Sequence, residues 1–221
     1  MDEFEPQGIE NKAMNMLDLP TRRDESWRYS DLSALQSVWP LPAPVRIDVA
    51  AGEAAHHHLL QDAADGATAV HDYVVTVADG ARCDFHVLNI GGQLGRVTID
   101  VTLGRGSHFE LGGAILGSGD QTLEIVTSVT HAQPDATSGQ TIRSILSERA
   151  TGSYLGRIAV ARDAQRTDAF QSVKAMLLDR TATAKTLLLR SFVAGVFDSV
   201  ADEAVKDRLE AAAIAKLEAM V

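Results

Sequence analysis

Seven histidines and a single cysteine are the side chains of this 221-residue chain best suited to metal or redox chemistry. His56, His57 and His58 are consecutive, and His71, Cys83, His86, His108 and His131 follow through the middle of the chain. Thiolate and imidazole both ligate zinc, iron and copper, so a cross-strand cluster of them would read as a metal centre. The spacing argues otherwise. Glu53–Ala64 reads as a surface helix, where adjacent residues point in different directions and only those three or four apart share a face. The three consecutive histidines are then an exposed polar run. Cys83 and His86 have opposite parity and would face opposite ways on a strand. Cys83 shares the parity of Phe85 and Val87 and reads as a small buried hydrophobe. One cysteine forms neither an internal disulfide nor a CxxC site. Gly91–Arg96, GGQLGR, has the glycines of a phosphate loop, but such a loop opens a helix. This one leads into an alternating run and reads as a turn between strands. No Ser-His-Asp order, paired-carboxylate motif or zinc helix motif stands out, so no catalytic, cofactor or metal residue is assigned.

The elements that position these residues are mostly strands. Val97, Ile99, Val101 and Leu103 alternate with Arg96, Thr98, Asp100 and Thr102, the pattern of a strand with one buried and one polar face. Tyr73–Val77 and Cys83–Val87 show the same period, and shorter runs follow to Val160. Glycine-rich or polar turns such as ADGA, GRGS and GSGD separate them. Run starts about 10 to 19 residues apart suit a sandwich, a barrel or a β-solenoid. No cysteine pair supports an immunoglobulin-like sandwich. No short repeat marks a regular solenoid. A sandwich and an irregular β-helix remain equal on the pattern alone.

Both ends read as helical. Ile9–Leu19 has helical spacing and stops at Pro20. Thr21 is a candidate cap, and Ser30 or Asp31 caps a short helix through Leu35. Trp27 and Tyr29 are expected to staple this arm to the body. WPLPAPV, Trp39–Val45, is a stiff linker. Downstream, Leu187, Leu188, Leu189, Phe192, Val193, Val196 and Phe197 form one broad apolar stripe. Val205, Leu209, Ala212, Ile214 and Leu217 form another, with a break at Asp198–Asp202. The expected organisation is an arm and linker over 1–45, a β core over 46–181 and a C-terminal helical hairpin over 182–221.

Composition narrows the function. A net charge of −10 with scattered Lys and Arg argues against a nucleic-acid surface. No apolar run is long enough to span a bilayer, and MDEFEP lacks the apolar core of a signal peptide. A cytoplasmic protein is expected.

Two segments resemble a known family. Leu19–Leu35, LPTRRDESWRYSDLSAL, is similar to the "PTRRxExWRYTDL" arm of the SufB/SufD proteins, the paired scaffolds of SUF iron–sulfur cluster assembly. Gly156–Leu178 is similar to their "G.I.V...AqkTdA.Q....LLL" stretch, with Gly156, Ile158, Val160, Ala164, Gln165, Thr167, Asp168, Ala169 and Gln171 matching. Length and arm are most like SufD. The resemblance implies a right-handed β-helix core between helical ends, which favours the solenoid. It implies pairing with a SufB-like subunit through the β-helix ends and a SufC-type ATPase on the C-terminal helices. Leu188, Phe192, Val196 and Phe197 are the expected docking residues, with Phe192 or Phe197 as main anchor. A homodimer is possible when the chain is alone. It also implies a scaffold rather than an enzyme, with an iron–sulfur cluster in the assembled complex and none on the isolated chain. The chain departs from the family after Leu178: DRTATAKTLLLRSF replaces a "P.LEI.ADDVKC.HGAT.G.LD" stretch, so that stretch's Cys and His transfer to no residue here. The alternative is a carbohydrate-processing β-helix enzyme, which needs carboxylates grouped on one strand face, with Asp84, Asp100, Glu110 and Glu124 as candidates.

Overall fold

The structure is a computed structural model that describes residues 18–178 and 186–220, the side chains of 186–188 excepted. A short helix, α1 (Leu32–Leu35), precedes ten strands: β1 (Val45–Val49), β2 (Ala54–Gln61), β3 (Thr68–Val77), β4 (Arg82–Asn89), β5 (Leu94–Leu103), β6 (His108–Gly117), β7 (Thr122–His131), β8 (Thr137–Ser147), β9 (Thr151–Val160) and β10 (Asp168–Leu178). Two helices close the chain, α2 (Thr186–Ala194) and α3 (Glu203–Ala219).

Every strand pairing is parallel. Odd strands form one sheet in the order β1-β3-β5-β7-β9, and even strands form the other in the order β10-β8-β6-β4-β2. Each odd–even pair is one turn of a five-turn β-solenoid, which settles the choice left open by the strand pattern. The repeat is irregular. Thr68 pairs with Leu94, 26 residues on, and Thr137 pairs with Asp168, 31 residues on. That variation hides the period from inspection.

Strand alternation sends one set of side chains into the lumen and the other outward. Val75, Phe85, Val97, Ile99, Phe109, Leu111, Ile125 and Ile142 are among the residues that fill the lumen. The outer face of the even sheet is covered by α2 and α3: Leu88, Ala114, Leu116 and Ile145 pack against Leu189, Val193, Phe197, Leu209 and Leu217. The amino-terminal arm lies on the outer face of the odd sheet.

Two expectations change. Glu53–Ala64 is not a helix: Ala54–Gln61 is strand β2, paired along its whole length with β4. A complete parallel ladder outweighs a weak local preference. Thr21 caps no helix; its amide and hydroxyl donate instead to the Asp24 carboxylate. Asp31 does cap α1, accepting from the amides of Ser33 and Ala34, and Asp202 caps α3. The helix expected over Ile9–Leu19 falls almost wholly outside the described residues, and Leu19 is in no helix.

Candidate interaction surfaces

The arm is fastened by a buried ion pair. Arg96 on β5 and Glu124 on β7 are neighbours in register on the outer face of the odd sheet. Both are buried, with Nη1 2.6 Å from Oε2. The Ser30 hydroxyl donates to the same carboxylate oxygen at 2.6 Å and accepts from Arg96 at 3.0 Å. The Trp27 ring lies over the guanidinium, 3.8 Å from centroid to Cζ, and meets Trp39 edge-on. A charge taken from water needs such partners to stay charged. Trp27 and Ser30 of the WRYS segment therefore hold the arm down. Tyr29, expected to share that task, is exposed instead.

The hairpin has an equally specific seat. The Val196 carbonyl comes so close to Gly112 on β6 that a Cβ there would collide with it. Beside it, His86 Nε2 is 2.8 Å from the Ser199 hydroxyl. Val196 and Phe197 lie in the turn just after nine-residue α2 and are buried in the chain's own core, packed with Leu189 and Val193 of α2 against the even sheet. Of the four expected docking residues, Phe192 is the described one with surface left. It is half-buried, with the Arg143 guanidinium 5.7 Å from its ring centroid. Leu188 lies in α2, its side chain outside the described residues. A groove of about 180 Å³ between α2 and α3 is lined by Val193, Ala194, Ala213, Ile214 and Leu217 among others.

Five of the seven histidines stand on the even sheet and divide between its two faces, while His71 and His131 stand on the odd sheet. His57 points inward and stacks on Phe85, whereas His58 points outward and stacks on His86 with ring centroids 5.4 Å apart. His56 Nδ1 is 3.2 Å from the Asp84 carboxylate, which Arg82 also holds at 2.7 Å. As parity predicts, Cys83 faces the lumen and His86 the hairpin. No group of three or more His, Cys, Asp or Glu able to hold a metal occurs among the described residues. Burial pushes the Cys83 thiol up to about 12, which keeps it protonated and a poor ligand.

Burial, with neighbouring His58 adding to it, pushes the His86 imidazole down to about 4. Its unfolded value is about 6.5. The unfolded chain therefore takes up this proton first as pH falls, so stability is full above about 6.5 and declines towards 4. The urea midpoint should fall between pH 7.5 and pH 5, and fall less in His86→Gln. An equal fall in that variant would remove His86 as a source.

The four candidate carboxylates do not share a face. Asp84 and Glu110 are neighbours in register on the even sheet, but Asp84 is engaged by Arg82 and His56, and Glu110 faces His108 at 3.4 Å. Asp100 and Glu124 stand on the odd sheet, where Glu124 is consumed by Arg96. This distribution does not favour a carbohydrate-processing site.

Among the described residues the far end of the solenoid is bare. The lumen-facing side chains of β9 and β10 include Val160, Val173 and Leu177, which are 53%, 49% and 76% exposed. Their register partners one turn in, His131, Ile142 and Leu146, are buried. Each of the two strands also has one unpaired ladder edge among the described residues. Such edges are templates for further pairing.

The fold is thus a stack of parallel turns with α2 and α3 on the outer face of the even sheet, the amino-terminal arm on that of the odd sheet, and a last turn left open among the described residues. The SUF system FeS cluster assembly SufBD core domain matches residues 41–187, a span that holds all ten strands. The chain belongs to this family and to SUF iron–sulfur cluster assembly. None of the curated proteins matches it. The arm over Leu19–Leu35 lies outside the matched span. No described helix is long and apolar enough to cross a membrane.

Proposed function

We propose that this chain is a SufD-like subunit of the cytoplasmic SUF scaffold. It pairs through its bare fifth turn with a SufB-like subunit, or with a second copy when alone. A SufC-type ATPase docks on the C-terminal hairpin, meeting Phe192 and the α2–α3 groove. The iron–sulfur cluster is cargo of the assembled complex. One buried, protonated thiol cannot replace the several thiolates that a cluster takes.

The bare fifth turn carries this reading. Leu177 and Val173 occupy lumen positions whose equivalents one turn in are buried. Apolar side chains left open at a sheet end mark a surface that a partner covers. A like solenoid end is complementary because it brings parallel strands and its own open lumen.

Leu177→Asp tests this directly. Leu177 is already largely in water, so the substitution should leave the thermal midpoint within a degree or two, as surface substitutions do. Pairing with a co-expressed SufB-like subunit, measured by sedimentation, should weaken at least tenfold, about 1.4 kcal/mol. Unchanged pairing would sink the reading.

A further inference from the structure

The lumen changes character towards its open end. One inward column runs Tyr73, Ile99, Thr127, Gly156 along the odd sheet, facing Phe85, Leu111, Gln140, Gln171 along the even sheet. The second and third turns are apolar in this column. The fourth and fifth are polar.

The polar groups are connected. The Thr127 hydroxyl and the Tyr154 hydroxyl donate to the Gln140 side-chain carbonyl at 2.8 and 2.9 Å. The Gln171 amide donates to the Tyr154 hydroxyl at 2.6 Å. Gly156 makes room for that last contact, since a Cβ there would collide with both Gln171 Nε2 and the Tyr154 hydroxyl. Gln171 is exposed, and its side-chain carbonyl has no hydrogen-bond partner among the described residues.

The surroundings make this more than a wetted end. Val173 and Leu177 follow Gln171 along the inward face of β10 and are bare apolar surface. An amide held in place beside an apolar patch penalises any cover that cannot hydrogen-bond to it, because the covered carbonyl would lose water for nothing. That penalty is how interfaces reject wrong partners.

We infer that Gln171, positioned by Tyr154 over Gly156, is the specificity-determining residue of the docking end. It admits a partner whose own end presents an N–H donor, from an Asn or Gln side chain or a backbone amide, over the centre of the lumen. This rests on the reading that the fifth turn is a pairing surface, and it adds what that partner must carry.

The test uses the full chain with a SufB-like subunit, comparing Gln171→Leu with Leu177→Asp by sedimentation and thermal unfolding. Gln171→Leu should weaken pairing at least tenfold with an unchanged thermal midpoint. Pairing as tight as wild type in Gln171→Leu, but lost in Leu177→Asp, overturns the specificity role and leaves the pairing surface standing. A thermal midpoint that falls together with pairing in Gln171→Leu also overturns it, by making Gln171 a structural residue. If neither substitution alters pairing, or the wild-type chain does not pair, the docking reading fails and the role of Gln171 fails with it.

Discussion

Glu124→Ala is expected to cost about 3–5 kcal/mol, the range for breaking a buried ion pair from one side. The Arg96 guanidinium would remain buried, still under Trp27 but without its carboxylate. Ser30 would lose the acceptor for its hydroxyl in the same step. The arm should loosen with the fold, so trypsin should cut at Arg22, Arg23 and Arg28 well below the global unfolding midpoint. Replacing both partners, Arg96→Leu with Glu124→Leu, should cost less than the single change, since no charge is then left unpaired. Urea unfolding of the single and double variants checks both points. A single variant within 1 kcal/mol of wild type would mean that water reaches the pair and that the arm is held by other contacts.

Phe197→Ala should be comparably damaging, about 3–5 kcal/mol, because it empties a fully buried aromatic site between hairpin and sheet. Phe192→Ala should cost far less, since half-buried Phe192 sits at the margin of that cluster. The contrast separates buried core from accessible margin within five residues of the hairpin. If a SufC-type ATPase binds this hairpin, Phe192→Ala should lose the ATPase on co-purification while keeping the thermal midpoint. Phe197→Ala should lose the fold of the hairpin first, visible as faster amide exchange in α2 and α3. The reverse order of stabilities would mean that the hairpin is seated differently.

The strands were legible wherever alternation was strict. Val97–Leu103 announces both the strand and its inward face, and the parity of Cys83 and His86 assigned their faces correctly. AAHHHLLQ was illegible because its conformation is set by β4 beside it rather than by its own residues. Trp27 and Tyr29 look alike in sequence, and only the position of Arg96 distinguishes the half-buried ring from the exposed one. The clamp itself was missed, although a signal existed. Arg96 and Glu124 are 28 residues apart, Asp120 and Arg149 29, Asp135 and Arg166 31: opposite charges one solenoid turn apart. Once a turn length near this is suspected, such pairs locate neighbouring rungs. The junction after Leu178, where the sequence departs from its family, falls in residues outside the described part, so its geometry adds nothing to either reading.

The uncovered turn also bears on how subunit numbers are balanced in a cell. In a stack where each turn contacts only its neighbours, the last turn has one neighbour instead of two and opens at lower cost than the rest. Proteolysis follows the population of such open states. An unaccompanied copy should therefore be trimmed from β10 inward, whereas a copy paired through the fifth turn, as proposed, would have that turn closed. Synthesis in excess of the partner would be corrected by degradation, with no dedicated sensor beyond the bare end itself.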